Sequence, residues 1–535
     1  MAQSLQPLEI PRLIFRRTHK SHVTERDICP HYFQSYESLT SDGFQPRKDL
    51  APWPYEMPID WAANPYSDRN WQFQLNGWRK VEPMLEKYFQ KDDNAYLLEA
   101  IAVALDWQSF NAGGAENPFA WHDMATGMRA ARLALFLDRI FSKRVTVPDG
   151  ATEALLECAS EHIVRLRDEK FISKGNHGVF QVFGLSLLAS VALGPMANRA
   201  CQAYCAKMFR KIMKQGYTDE GVHKEHSPSY HLFTTDRILQ FNPRRVADAA
   251  TADLLARAEK LGPWFVRPDH YVSPLGDSSG KGRRLTGAVK LTHLASGRSF
   301  AVADLTKSGY AIVRSDPNAE HQPSMLTATG NWYSNAHKHH DELSFTLFEH
   351  GEPVFIDSGK YGYQYDDKRA YIVSAAAHNT VSFRDPGASV GQLAEKGSFL
   401  KRMRQLDDAF ALSGSIDRPD SFNHERELIY SPEKYLRIVD TVTGPQKQIY
   451  ASNLHFPNEL RPVLTPNGFE VELKCGKIVR GVVEGEGVEL ELARGETDPM
   501  LGWESVGYLK LVPATTIRAI FGGSDLSVRW RIDLV

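Results

Sequence analysis

The feature that most constrains this chain is a change of hydrophobic period partway along it. From about Gly77 to Phe265 apolar residues recur at helical spacing, and Asp93 to Trp107, Trp121 to Phe141, Ala151 to Phe171 and Ala197 to Tyr217 are the clearest cases. In the third, Glu153, Glu157, Glu161 and Arg165 share one face while Leu155, Leu156, Ala159 and Val164 lie between them. After roughly Gly297, short β-rich runs bounded by Gly, Pro, Asp and Asn take over: Tyr310 to Arg314, Leu343 to Phe348, Val354 to Ile356 and Thr380 to Phe383. Alternation continues through Lys434 to Val442, Gln448 to Phe456, Phe469 to Leu473, Val488 to Leu492 and Leu526 to Ile532. Helices first and strands after, without βαβ alternation, predict an α+β chain in which a helical bundle or (α/α) toroid precedes an antiparallel β-sandwich. No residue-level repeat chooses between bundle and toroid. The expected domains are an N-terminal arm over 1–55, rich in Pro and polar residues, a helical domain over 56–300 and a β-sandwich over 301–535.

Composition removes several classes of function. The 535 residues are 42% hydrophobic, which is globular, and 63 Lys+Arg against 65 Asp+Glu leave no basic field to hold nucleic acid. Five Cys in a chain of this length make no disulfide framework. Cys201 and Cys205 stand four apart on one predicted helix and read as a buried packing pair. The apolar run Leu13-Ile14-Phe15 is too short for a secretion signal, so the chain as written reads as cytoplasmic. The stretch Val182 to Leu193 is interrupted by Gly184, Ser186 and Ser190 and reads as a buried helix, so no membrane insertion is expected.

Four clusters carry chemistry. Lys174-Gly-Asn-His-Gly178 precedes an apolar helix, where the amide of Asn176 and the imidazole of His177 can donate to an anion, or where Asn176 can simply cap the helix. Asp219 to His231 gathers His223, His226 and His231 around a Ser-Pro turn and places Tyr230 in the first helical turn; a catalytic phenol there needs nearby donors or positive charge. Asn335-Ala-His-Lys-His-His-Asp-Glu-Leu-Ser-Phe345 runs into an apparent strand, on which period two puts His337, His339 and Asp341 on one face, and Lys338 and His340 on the other. Two imidazoles and a carboxylate on one face suit a divalent metal or a division of metal and acid–base roles. Ile356-Asp-Ser-Gly359 and Ala377-His-Asn-Thr380 supply Asp357 and His378 from adjacent strands.

The order Asn-His-Gly, Ser-Pro-x-Tyr-His, His-x-His-x-Asp, Ile-Asp-Ser-Gly and Ala-His-Asn-Thr resembles that of the heparinase II/III-like polysaccharide lyases, and the resemblance spans most of the chain. Asn64 to Gln74 and Trp121 to Arg129 also look like that family's helical domain. The resemblance implies an (α/α) toroid joined to an antiparallel β-sandwich and metal-independent β-elimination on a uronic-acid-containing polysaccharide, glycosaminoglycan-, alginate- or exopolysaccharide-like, leaving an unsaturated uronate end. By matching position, Asn176 and His177 neutralise the substrate carboxylate, Tyr230 serves as base and acid, and His337 is the alternative base. His339, Asp357 and His378 hold one structural zinc, with Asp341 as a competing ligand and His340 as an extra imidazole; no organic cofactor is implied. Removing the proton on carbon 5 of a uronate builds charge on its carboxylate, which explains the donors.

Substrate grip is expected from Arg69, Trp71, Gln72, Trp121, Arg129, Arg369 and Tyr371, since Arg suits carboxylate and sulfate and aromatic faces suit sugar rings. The partner is then an acidic polysaccharide, with a homodimer left open, and the resemblance sets a cell-envelope or secreted location against the cytoplasmic reading. The rival readings are a zinc-dependent carbohydrate hydrolase, in which the His/Asp set activates water, and a non-catalytic glycan-binding or biosynthetic accessory protein. No pair of acidic residues nominates itself for glycoside hydrolysis of the two-carboxylate kind.

Overall fold

Helices form where the apolar stripes predict them. The computed structural model describes residues 22–28, 33–54, 56–114, 116–318 and 322–535. Helices span Asn94–Ala112, Asp123–Phe141, Ala151–Leu166, Asn176–Ala192 and Pro195–Gly216. Asp93 starts the first of these by accepting the Ala95 N–H, a standard N-cap. Ala151–Leu166 buries Leu155, Cys158, Ala159, His162 and Ile163; Val164 is exposed, because it falls on the face of Glu153, Glu157 and Glu161. Asn176–Ala192 is buried almost all round from Gly178 onward, as expected of a helix surrounded by others. It meets Asp123–Phe141 backbone to backbone: a Cβ on Gly184 would lie 2.1 Å from the Gly127 carbonyl oxygen, and one on Gly127 2.5 Å from the Phe180 carbonyl. Only glycine permits that approach, and it brings Asp123 beside the start of Asn176–Ala192.

The described residues up to Gly216 together with Asp236–Asp253 form one compact unit, and Tyr217–Thr235 with Leu254–Val535 form the second. The run Leu13–Phe15 and much of the expected arm lie outside the described residues; in the remainder, Tyr36–Asp42 is a helix capped by Ser35, with Leu39 and Phe44 buried. Among the described residues no helix is long and apolar enough to cross a membrane. Cys201 and Cys205 are buried free thiols.

The second unit is built on two antiparallel sheets. One has six strands in the spatial order Leu291–His293, Ser299–Leu305, Tyr310–Ser315, Met325–Thr329, Phe345–Glu349 and Glu352–Phe355. The other has ten, dominated by Asn423–Ser431, Tyr435–Phe456 and Thr515–Asp533. The runs Lys434 to Val442 and Gln448 to Phe456 are two halves of the single strand Tyr435–Phe456, whose register against Thr515–Asp533 shifts between Thr443 and Gln448. Alternation delivers one face of each sheet to a shared core, in which Phe300, Val313, Leu326, Phe345 and Leu347 pack with Leu428, Ile438, Phe456, Trp530 and Ile532. Each such side chain contributes about 1.5–3 kcal/mol on burial. The outer face of the six-stranded sheet is covered by Val222, Phe265 and Leu275, which pack on Leu305, Tyr310, Ile312 and Phe348. That second cluster fixes the Asp219 to His231 segment against the sheet.

Candidate active site

Each unit presents a cluster. In the helical unit Asn176 and His177 open the helix Asn176–Ala192, whose N-cap is Gly175 with φ 80°, so Asn176 is not the cap. Asp123 orients His177, with both carboxylate oxygens 3.1 Å from His177 Nδ1, and it also accepts from Ser173 Oγ. Burial pushes the Asp123 carboxyl up, but bonds from His122, His177 and Ser173 outweigh it and hold the group well below the usual carboxylate range. With Nδ1 donating to Asp123, the Nε2 side of the 41% exposed His177 ring is open, and it can donate to an anion only as an imidazolium.

The helix Pro228–Gln240, whose first turns belong to the second unit, is started by Ser227, whose Oγ accepts the Tyr230 N–H at 3.2 Å. Ser227 Oγ also donates to the Asp277 carbonyl at 3.1 Å, which ties this helix to the turn carrying Asp277. Gly276, at φ 54°, makes that turn possible: a Cβ there would lie 2.5 Å from the His226 carbonyl oxygen and 2.9 Å from that of His337.

Of the three histidines around the Ser-Pro turn, His226 and His231 are structural. His231 Nδ1 accepts the His223 N–H at 3.2 Å and Nε2 donates to the Ala258 carbonyl at 2.9 Å; His226 Nε2 accepts the Tyr333 N–H at 2.6 Å. Burial pushes His226 and His231 down to about 4, so both are neutral at pH 7. The Tyr230 ring lies on the His337 imidazole with centroids 3.5 Å apart, and its hydroxyl is 2.8 Å from the Tyr363 hydroxyl. Burial raises the Tyr230 pKa, against which the Tyr363 hydrogen bond acts.

The segment Asn335 to Ser344 is a clamped loop, not a strand, and this corrects the period-two expectation. His337 and Leu343 have φ of 56° and 60°, which breaks the pleat, and the strand starts at Phe345. Lys338 is buried on Asp341 and on Glu342, the latter at 2.8 Å, so Asp341 is engaged by an ammonium. His337 and His339 do share a partner: Asp277, 1% exposed, lies 3.1 Å from His337 Nδ1 and 3.0 Å from His339 Nε2. Arg369 grips the same carboxylate at 2.5 and 3.1 Å.

His339, Asp357 and His378 converge, each offering a ligand atom within 4.8 Å of the others, and all three are buried. His378 Nδ1 lies 2.7 Å from Asp357. Two buried ring nitrogens here, His339 Nδ1 and His378 Nε2, have no hydrogen-bond partner among the described residues. Orphaned imidazole nitrogens beside a carboxylate fit a metal ion, and the two-nitrogen, one-oxygen set suits a borderline cation. Burial pushes His378 down, but Asp357 outweighs it and raises the pKa, whereas burial lowers that of His339.

The residues expected to grip substrate divide. Trp71 and Arg129 are 0% exposed and Gln72 and Tyr371 are buried, which corrects the expectation that these four line a cleft. Trp71 packs on Phe44, Trp53 and Tyr66. Arg129 donates to the Asn76 and Ala120 carbonyls at 2.6 Å and lies 4.2 Å from the Trp107 ring, and burial lowers its pKa to about 9. Tyr371 belongs to a small core with Tyr361, Ile372 and Leu501. Arg369 is engaged by Asp277, while Arg69 is exposed and Trp121 half-buried beneath Arg165, at 4.0 Å. Sequence reasoning missed Asp123, Asp277 and Tyr363. Asp277 sits in the turn Gly276-Asp-Ser-Ser-Gly280, a signal of tight backbone but not of chemistry.

The helical part, the antiparallel sandwich and the family profiles that match them together make this a lyase acting on polysaccharides. The chain matches the family profiles "Heparinase II/III N-terminus" over residues 20–256 and "Heparinase II/III-like, C-terminal" over 297–508, and it belongs to the heparinase II/III-like family. No curated protein matches it in sequence. Among solved structures, the "Heparinase III-BT4657 gene product" shares its fold with a TM-score of 0.72 at 17% identity, covering 96% of this chain and 84% of the other. A heparan sulfate lyase HepC mutant from Pedobacter heparinus gives 0.68 at 16%, covering 92% and 81%.

Proposed function

We propose that this protein cleaves a uronic-acid-containing polysaccharide by β-elimination, leaving an unsaturated uronate end. The observation that carries the reading is the Tyr230 ring lying 3.5 Å from the His337 imidazole, which sets a phenolic donor beside an imidazole acceptor. With Nδ1 facing Asp277, His337 accepts the carbon 5 proton at Nε2, which lies 3.6 Å from the Glu225 carboxylate. The electrons of the broken C–H bond form the carbon 4–carbon 5 double bond, and the bond from carbon 4 to the glycosidic oxygen breaks. Tyr230, kept protonated at neutral pH by a pKa that burial raises, returns a proton to that oxygen. By family resemblance the role of meeting the charge that gathers on the carboxylate goes to Asn176 and to His177, the latter as an imidazolium whose Nδ1 is held by Asp123.

His339, Asp357 and His378 would hold one zinc, whose contribution when bound is to cross-link the loop bearing His337 to the segments bearing Asp357 and His378. Arg69 and Trp121 are the exposed or half-buried cation and ring assigned to sugar contacts. Heparan-type polymers lead the substrate panel because solved relatives of this fold carry the names heparinase III and heparan sulfate lyase.

The test is ultraviolet absorbance of conjugated uronate during incubation with heparan, chondroitin, alginate and polyglucuronate polymers, alongside Tyr230→Phe. A rise abolished by the substitution supports elimination and names the polymer. Reducing ends without absorbance would point to hydrolysis instead.

A further inference from the structure

Asp277 is a buried carboxylate to which the elimination steps above give no proton-transfer role. No motif marked it, yet its side chain is 1% exposed and meets three groups that two separate segments supply, His337 and His339 from one loop and Arg369 from a helix. Oδ2 lies 3.1 Å from His337 Nδ1 and 3.1 Å from Arg369 Nη2; Oδ1 lies 3.0 Å from His339 Nε2 and 2.5 Å from Arg369 Nη1. Each oxygen thus accepts from one imidazole and one guanidinium nitrogen. A carboxylate has no hydrogen to give, so both imidazoles must donate, which fixes which nitrogen of each ring carries a proton.

We propose that Asp277 is the positioning residue of the reaction: one carboxylate holds His337 by Nδ1, which leaves Nε2, 3.6 Å from the Glu225 carboxylate, as the nitrogen that can take a proton, and holds His339 with Nδ1 turned to the metal site. The inference rests on the elimination reading for the role of His337 but not for the geometry. It assigns one group to two tasks that usually take two carboxylates, the orienting of a catalytic histidine and the orienting of a metal-binding one. Displacing His339 therefore also displaces the acceptor that holds His337. The backbone reinforces the link, since the Asp277 N–H donates to the His337 carbonyl at 3.2 Å. Arg369 supplies the counter-charge that lets the carboxylate stay ionised while buried.

An amide in place of the carboxylate accepts from only one ring and turns an N–H toward the other, so one ring must change tautomer or lose its bond. Asp277→Asn is expected to lower kcat at least about 100-fold with KM nearly unchanged, or to weaken zinc binding at least about tenfold in competition with a chelator. A folded variant with kcat and zinc affinity both close to wild type overturns the proposal. Asp277→Glu, which keeps the charge, should recover part of whichever property was lost. Nitrogen-15 spectra of histidine-labelled wild type, assigned with His337→Gln, give an arm independent of activity and of the variant's folding. A proton on His337 Nδ1 is expected, and a bare Nδ1 with a protonated Nε2 overturns the proposal. If the wild type eliminates no polymer, the functional reading fails while the zinc and tautomer results still decide the role of Asp277.

Discussion

Tyr230 and His337 lie nearly parallel, their rings 17° apart and their centroids 3.5 Å apart, although 106 intervening residues separate them in sequence. The pairing exists because three local devices converge. Ser227 starts the helix of Tyr230, His226 accepts the Tyr333 N–H at the base of the His337 loop, and Gly276 lets the Asp277 turn come close to both. Removing the hydroxyl in Tyr230→Phe keeps the stack and should lower kcat about 100- to 10,000-fold, the range for a lost acid–base group. KM and melting temperature should stay near wild type, which steady-state kinetics and a thermal melt check together.

Two arginines assigned to substrate by sequence should behave oppositely. Arg129 is buried with hydrogen bonds to the Asn76 and Ala120 carbonyls and to His162, so Arg129→Ala strips several buried partners at once. It should destabilise the protein by about 3 kcal/mol or more in denaturant unfolding. Arg69 is exposed, and Arg69→Ala should leave unfolding unchanged while raising KM severalfold.

Metal removal should act on stability before chemistry. With His339 Nδ1 and His378 Nε2 buried and unpartnered, the chelated protein should melt at a lower temperature, and added zinc should restore the wild-type value. His378→Ala should abolish that zinc-dependent shift and cost about 3 kcal/mol or more, because it leaves the Asp357 carboxylate buried without its 2.7 Å partner. Differential scanning calorimetry with and without zinc reads both effects.

The stability of the sandwich should fall between about pH 4.5 and pH 8 through one carboxyl. Glu349 is fully buried beneath Tyr430, and burial raises its pKa to about 8, against bonds from Tyr430 and the Glu433 N–H. The folded-state value exceeds the unfolded one, so the proton is held more tightly in the folded chain. That stability is full below the unfolded pKa and is lost as pH rises through the folded one. Glu349→Gln removes the titration, and from pH 5 to pH 8 the wild type should lose at least about 2 kcal/mol more than the variant in denaturant unfolding.

Fold class was legible because it rests on periodicity: the stripe of Ala151–Leu166 and the alternation of Asn423–Ser431 are local patterns. The convergence of His339, Asp357 and His378 was legible only through family resemblance, since spacing alone left Asp341 in competition and the buried Lys338 that engages it gives no sequence signal. The strand expected through His337 failed where two residues adopt positive φ, a choice made by the tertiary clamp and not by local propensity. Asp277 and Asp123 were invisible for a related reason: a single carboxylate in a polar turn looks like surface until the fold shows which imidazoles face it. Trp71 and Arg129 misled in the other direction, because aromatic and cationic residues that suit sugars also build cation–π cores.

The central claim is that bond cleavage is eliminative, and digestion in heavy-oxygen water tests it most directly. Elimination breaks the carbon–oxygen bond without adding water, so mass spectra should show new ends one water lighter than hydrolysis products and free of the heavy isotope, with Tyr230→Phe giving almost none. Incorporation of heavy oxygen at the new ends, with the full mass of a hydrated fragment, would contradict the account.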